Sequence, residues 1–382
     1  VFDVALLWLV FVTTKSTALV GLTQAAVLVP AVFAAPVAGV YVDRLNRRNV
    51  MIASNLAQGA ITGVLALLYF SGTLAFPALI LFVLLLYTGA QFFRAANTAI
   101  IPSIVGPGEL GAANGLFTLT TSANQLASYT VGGAVVAAIG AGASITYDSL
   151  TFFVAAVILT FVPMSYGAAM ALAENWQPVA SSFMSEFREG LSYIRRSRLL
   201  LELIVFGTVV NFFFGGLGAL IAPYVNQQLH GDAFDYGVTL SAYALGTIAG
   251  SFVVGKVNFR RYVGKLLFAG ILGAGVAILL SGVATTVPGG AAAFGAIGAF
   301  AASVNLPLQV LIQSKVPGNL LGRIVTVLGS LVSATIPVAA VLFGAVAEFS
   351  TVGQVFVVSG AAVMLTSVVL YIPFSELRSA GF

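Results

Sequence analysis

The chain has 382 residues, of which 59% are hydrophobic and only 7% charged, with a mean hydropathy of +1.05. Soluble proteins carry roughly 25% charged residues, so 16 basic and 12 acidic side chains cannot make a water-facing surface for a chain this long. The lack of cysteine excludes a disulfide framework and a thiolate metal site, and the one histidine, His230 in a polar loop, is a poor basis for a metal site or a proton relay.

In chain order, polar and Gly/Pro-rich points divide the sequence into twelve apolar runs, near 1–14, 19–41, 50–70, 75–100, 111–138, 144–163, 199–225, 236–255, 264–285, 290–313, 322–346 and 352–374. A hydrocarbon core about 30 Å thick needs about 20 apolar residues per helix, and most runs reach that length. The alternating segments of a membrane barrel are missing. The predicted fold class is therefore an all-α membrane protein with twelve transmembrane helices. The first run is too short to cross, and it begins without an initiator Met or a polar leader. Natural residues are expected upstream, so that the first helix is truncated in this sequence. No basic start leads into a short apolar run and a cleavage site, as a secretory signal would.

Lysine and arginine set the expected orientation. Arg44, Arg47 and Arg48 follow the second run; Arg188, Arg195, Arg196 and Arg198 follow the sixth; Lys256, Arg260, Arg261 and Lys265 follow the eighth. Lys315 and Arg323 flank the loop after the tenth, and Arg378 follows the twelfth. Only Lys15 lies toward the other side. Both termini are thus expected in the cytoplasm of a cell whose membrane the chain crosses, and the net charge of +4 is a topology signal that needs no nucleic acid. The longest polar stretch, 164–198, separates an N-terminal six-helix bundle (1–163) from a C-terminal one (199–382). Within it, Phe183, Phe187, Leu191 and Ile194 form one apolar stripe of an amphipathic helix. That helix is expected to lie on the cytoplasmic membrane surface as a tether between the halves. A faint repeat relates Asn97–Leu116 to Asn305–Val325, and Ala38-Gly39 to Ala249-Gly250, at an offset of about 210 residues. Two similar halves suggest a transporter with its site where they meet.

The sharpest local pattern is Gly39-Val-Tyr-Val-Asp43-Arg44-Leu-Asn46-Arg47-Arg48, between the second and third runs. Gly39 allows close helix approach, and Asp43 can accept from a helix N-terminus, where the dipole is positive. Arg44, Arg47 and Arg48 can reach phosphates or carboxylates at the cytoplasmic surface. A positively charged anchor is the plainer reading of the same residues. The pattern resembles the signature between the second and third helices of the major facilitator superfamily, G-x-x-x-D-R-x-G-R-R. Asn46 replaces its final glycine, and Asn is the residue that best tolerates a left-handed turn in glycine's place. Phe92–Leu116 and Ile145–Phe153 resemble the branch containing macrolide and enterobactin exporters, through Pro102, Leu110, Ala113, Asn114 and Asp148. The resemblance implies two pseudo-symmetric six-helix bundles, alternating access and export driven by a proton gradient. Many of those exporters carry an Arg inside the fourth helix, where this chain has Tyr87 or its neighbours; Arg94 lies a turn or two further on.

Ionisable groups within spans are few, and each costs at least about 2.5–3.5 kcal/mol at the bilayer centre. Asp3 precedes Lys15 by twelve residues, so it lies about 18 Å deeper at 1.5 Å per residue, where desolvation penalises its charged form. It is expected either to carry the coupled proton, as the branch's frequent acid in this helix suggests, or to be a structural carboxylate bonded to a neighbouring helix. Asp148 reads as a helix-start or interhelix partner. Arg94 either attracts an anionic substrate or snorkels to the surface. Asp43 is expected to lock a cytoplasmic gate against N–H groups near Leu321 and Gly322.

Gln24, Gln91, Arg94, Asn124, Asn211, Tyr243, Asn305 and Gln309 are the candidate cavity residues, and Phe92, Phe93 and the run Phe212, Phe213 and Phe214 surround two of them. A cavity this apolar suits a hydrophobic or amphipathic solute, although Phe clusters also pack between helices. Gly246 and Gly250, four apart, should permit close helix packing. No catalytic residue, metal or cofactor is assigned, because neither G-x-S-x-G nor H-E-x-x-H occurs and no P-loop is present. The sequence points away from an enzyme and toward a multidrug-type secondary active exporter of amphipathic compounds by proton antiport. It is expected to act as a monomer in the bilayer, with the solute and protons as its partners. An uptake symporter or facilitator and a lipid flippase are the alternatives.

Overall fold

Inside a bilayer each backbone N–H and C=O must be satisfied within its own segment, which leaves helices as the solution for runs such as these. The computed structural model describes residues 2–42, 45–104, 109–162, 179–256 and 263–378, and no strand occurs among them. The helices are α1 (Phe2–Thr14), α2 (Thr17–Val42), α3 (Arg47–Phe70), α4 (Phe76–Ile104), α5 (Leu110–Thr160), α6 (Val179–Arg196) and α7 (Arg198–Ala219). They continue with α8 (Ala233–Lys256), α9 (Val263–Val283), α10 (Val287–Lys315), α11 (Gly318–Ser333), α12 (Thr335–Glu348), α13 (Val352–Tyr371) and α14 (Ser375–Arg378). Among the described residues, 10 helical stretches are long and apolar enough to cross a membrane. One of them is double, and the short apolar α1 stands beside them, which brings the total to the expected twelve.

The break between the fifth and sixth runs falls where expected, and two departures from the other runs have local causes. The fifth and sixth runs are two helices of the stretch α5 that meet at a kink at Gly140, whose φ of 79° and ψ of 162° are not helical and only glycine adopts readily. The eleventh run is two helices broken at Ala334. Pro337 has no N–H to give the carbonyl four residues back, and its ring crowds that carbonyl, so the chain cannot continue as one α-helix there. The seventh run ends in a three-residue helical turn (Ile221–Pro223) and a π-helical turn (Tyr224–Gln228). The repeat reappears in the helix frame: α4 and α10 both have 29 residues, and each end of α10 follows its counterpart in α4 by 211 positions.

The chain forms two compact units, one of Val1–Leu9 with Ala26–Ser182 and one of Val10–Ala25 with Phe183–Phe382. In the first, α3 packs against α4 and α5. Its buried face includes polar side chains whose donors bond within the helix: Asn55 donates to Met51 O (3.0 Å), Gln58 to Ser54 O (3.1 Å) and Thr62 to Gln58 O (2.7 Å). Ser149 of α5 adds a bond across to Gly59 O at 2.7 Å. An apolar cluster of Val42, Val50, Met51, Ala96 and Ile100 closes one end, with Phe92 and Phe93 packed on it.

In the second unit, α8 packs along α10 and α9 along α13. A Cβ on Gly246 would overlap the carbonyl of Gly295, and one on Gly250 that of Ala299, so α8 and α10 meet backbone to backbone as the four-residue glycine spacing anticipates. Glu202 of α7 is buried and accepts from Arg198 Nε (3.1 Å) and from the Leu377 N–H (2.8 Å), which ties α14 to the start of α7. The amphipathic α6 forms in the 164–198 stretch. Phe183 and Phe187 lie outside the described side chains, Ile194 is fully buried, and Gly190 sits against Val327 and Arg323 of α11. Glu189 pairs with Arg323. This end of α6 therefore rests on protein, where the sequence alone suggested lipid.

Candidate functional site

The first unit contains the one acid of the first helix. Asp3 stands in the first turn of α1, exposed, between buried Phe2 and Val4. Tyr87 of α4 donates its hydroxyl to Asp3 Oδ1, and its ring lies 6.4 Å from that of Phe2. Of the fourth-helix residues standing where related exporters carry an Arg, Tyr87 is thus the one that meets the acid. Gln91, one turn on, is buried and donates to Tyr87 O at 3.3 Å, so α4 presents both side chains on one face. Asp148 of α5 is half-buried and within electrostatic range of Asp3. Arg94 and Asn124 are exposed.

The signature loop shows two differences from expectation. Asp43 and Arg44 lie outside the described residues. Asn46 is not left-handed: with φ −64° and ψ 111° it is the N-cap of α3, accepting from the Asn49 N–H at 3.2 Å. A Cβ on Gly39 would meet nothing within 4 Å among the described residues, so the close approach expected there is not made in this structure. Arg47 donates to Ala99 O at 2.8 Å and Arg48 to Val162 O at 3.2 Å, which pins the start of α3 to α4 and to the end of α5. Arg48 Nε is buried with no partner among the described residues.

The second unit holds the remaining polar candidates. Gln24 and Tyr243 are half-buried, and Asn211 donates to Gly207 O at 3.0 Å. Asn305 and Gln309 are exposed four residues apart on α10, and Asn305 donates to Ala301 O at 3.0 Å. Bonding one turn back satisfies these amide donors cheaply in an apolar medium. The aromatic run packs on α12: Phe212 and Phe213 lie 5.6 and 6.0 Å from Phe343, edge-on. Beside them a cavity of about 530 Å³ is bounded by Phe213, Phe343, Val346, Val355, Val358 and Ser359. None of the eight cavity candidates lines it.

A sequence profile of the family described as "Transmembrane secretion effector", within the major facilitator superfamily, matches residues 1–380. The chain belongs to that family. It is a multi-pass integral membrane transporter of the major facilitator fold. An uncharacterised transporter of the superfamily, YvqJ of Bacillus subtilis, is 25% identical to this chain over 314 residues, covering 82% of this chain and 74% of YvqJ. Macrolide efflux protein A of Streptococcus pyogenes is 24% identical over 276 residues, covering 72% and 67%. Among solved structures, the nucleoside transporter NupG superposes with a TM-score of 0.77 at 12% identity over 98% of this chain and 94% of NupG. A D-xylose-proton symporter superposes with a TM-score of 0.68 at 17% identity over 100% and 96%.

Several polar groups of the chain escaped sequence reasoning. Asn55 and Gln58, buried in α3, carry no charge and so lack the cost signal that singles out Asp3. Glu202 and Glu348 stand at helix ends, where an acid reads as a solvated loop charge. No local sequence signal marks them: each gains its role from a helix start elsewhere in the fold.

Proposed function

We propose that this protein is a secondary active exporter that moves hydrophobic or amphipathic organic compounds out of the cell by proton antiport, through alternating access. One observation carries the reading: in a chain with so few charges, the acid of the first helix is met by a hydroxyl from the fourth. A lysine or arginine there would hold a permanent ion pair. A phenol oxygen donates to a carboxylate and accepts from a carboxylic acid, so both protonation states of Asp3 have a partner. That is what a proton carrier needs, since an intramembrane carboxylate without a partner is costly in its charged form.

The relatives named as macrolide efflux proteins support export of an amphipathic solute. The apolar cavity beside Phe213 and Phe343 has the size of a small-molecule site. In this reading residues 1–163 and 199–382 are the two moving halves, both termini are cytoplasmic, and a monomer in the cell membrane suffices. Gln24, Gln91, Arg94, Asn124, Asn211, Tyr243, Asn305 and Gln309 line the path, and the loop from Gly39 to Arg48 serves the cytoplasmic gate.

The test is a panel of lipophilic dyes and antibiotics in inverted vesicles, with and without a collapsed pH gradient. Gradient-driven accumulation of at least one amphipathic compound is expected, lost on collapse and lost in Asp3→Asn. Accumulation that persists unchanged in Asp3→Asn sinks the coupling assignment. Headgroup movement in liposomes with no dye flux replaces export with lipid flipping.

A further inference from the structure

Glu348 is the last residue of α12, and a carboxylate there faces the negative end of its own helix dipole, a locally unfavourable place. Its compensation comes from another helix. Glu348 Oε2 accepts from the Ser16 hydroxyl (3.1 Å), the Thr17 hydroxyl (3.0 Å) and the Ala18 N–H (3.1 Å), all at the start of α2, where the dipole is positive. The Thr17 hydroxyl also lies 2.9 Å from Gly344 O; its single proton serves one acceptor at a time. Ser16 accepts from the Leu19 N–H at 3.2 Å, so the serine caps α2 while its own proton goes to Glu348.

The backbone beneath is built for the contact. Gly21 of α2 lies against Ala340 and Gly344 of α12, and a Cβ on Gly21 would overlap the Ala340 carbonyl. The turn before α2 is one residue in a left-handed conformation, Lys15 with φ 54°, its N–H bonded to Phe11 O at 2.8 Å. A non-glycine residue held there is uncommon, and the turn sets Ser16 and Thr17 side by side facing Glu348. The hairpin Val10–Ala25 accordingly belongs to the compact unit of Phe183–Phe382, although both of its helices run on into the other unit.

We propose that Glu348 is a gating residue: it latches the α1–α2 hairpin onto α12, and the transport cycle breaks and remakes this latch. The proposal rests on the alternating-access reading above and adds the residue that holds one closed face. Glu348 is exposed and Ser16 half-buried, so water can take over their bonds when the hairpin leaves, which keeps the net cost of release small. A buried apolar contact of equal extent would offer no such substitute.

The chain has no cysteine, so one can be placed at will. Val20 is fully buried in the docked hairpin. In Val20→Cys, the rate of reaction with a membrane-impermeant maleimide reports hairpin release, with no substrate and no gradient required. The reagent is added to right-side-out and to inverted vesicles; a rise on either face supports the latch, and the face itself reports orientation separately. Glu348→Gln should raise the rate several-fold. Thr17→Val, which keeps the side-chain shape, should raise it less, and the double variant should add little to Glu348→Gln. Ser350→Ala, which removes a nearby hydroxyl that lies just past α12 and donates to Val346 O, should leave it unchanged. Unchanged labelling in both Glu348→Gln and Thr17→Val, or an equal rise in Ser350→Ala, overturns the latch. Thr17→Val keeps the test open if Glu348→Gln fails to fold. A latch that responds in a protein with no dye flux refutes the export reading and leaves the gate standing.

Discussion

Tyr87 differs from phenylalanine by one oxygen, and that oxygen is the atom that meets Asp3. Tyr87→Phe keeps the ring against Phe2 and removes the donor, so it isolates the hydroxyl's part in the proposed coupling. Hydrogen bonds to charged groups contribute about 1.5–3 kcal/mol. The pH of half-maximal dye efflux should therefore move in Tyr87→Phe, while dye binding without a gradient stays as in the parent protein. An unmoved pH profile with normal flux means that the hydroxyl only fills space. Asp3 was legible in the sequence because a charge deep in an apolar run stands out by its cost. Tyr87 was legible only as a departure from a pattern, since an uncharged phenol carries no such cost. Glu348 was not legible at all: what gives it meaning is α2, over 300 positions away in the chain, and no local pattern connects the two.

At the scale of elements, the repeat pairs Ala38-Gly39 with Ala249-Gly250, yet the two glycines have different surroundings. Gly250 lies against the backbone of α10, and Gly39 faces open space among the described residues. Equal letters thus stand for unequal packing, because a helix's neighbours are set by the whole bundle. Gly250→Val should force α8 and α10 apart and destabilise the protein by about 1–3 kcal/mol, the usual range for overpacking. Gly39→Val should leave the melting temperature in detergent nearly where it was. Equal losses in the two variants would contradict the packing described for α8 and α10. The helix runs themselves were legible, since about 20 apolar residues leave little choice in a bilayer. The breaks were legible in part: the separation of the fifth and sixth runs falls at Gly140, as expected, whereas Pro337 divides a run that hydropathy alone makes whole.

At the scale of the molecule, orientation depends on where the basic residues fall once the helices alternate. The turns at Ser71 (between α3 and α4) and at His230 (before α8) carry no lysine or arginine, whereas the α2–α3 connection carries Arg44, Arg47 and Arg48. Basic residues close to span ends are the ones retained on the cytoplasmic side, so the first two turns are expected outside and the third inside. All three positions chosen to test this, Ser71, His230 and Leu45, are exposed in the structure, and the cysteine-free background gives no competing thiol. Ser71→Cys and His230→Cys should react with an impermeant maleimide in intact cells. Leu45→Cys should react only after permeabilisation. The two outside positions stand in different halves of the sequence, so each half is tested independently. Reaction at Ser71 without reaction at His230 would mean that the number of crossings between them is odd, which twelve spans do not allow. Reaction at Leu45 alone would invert the protein, and with it the direction in which a proton gradient could drive export.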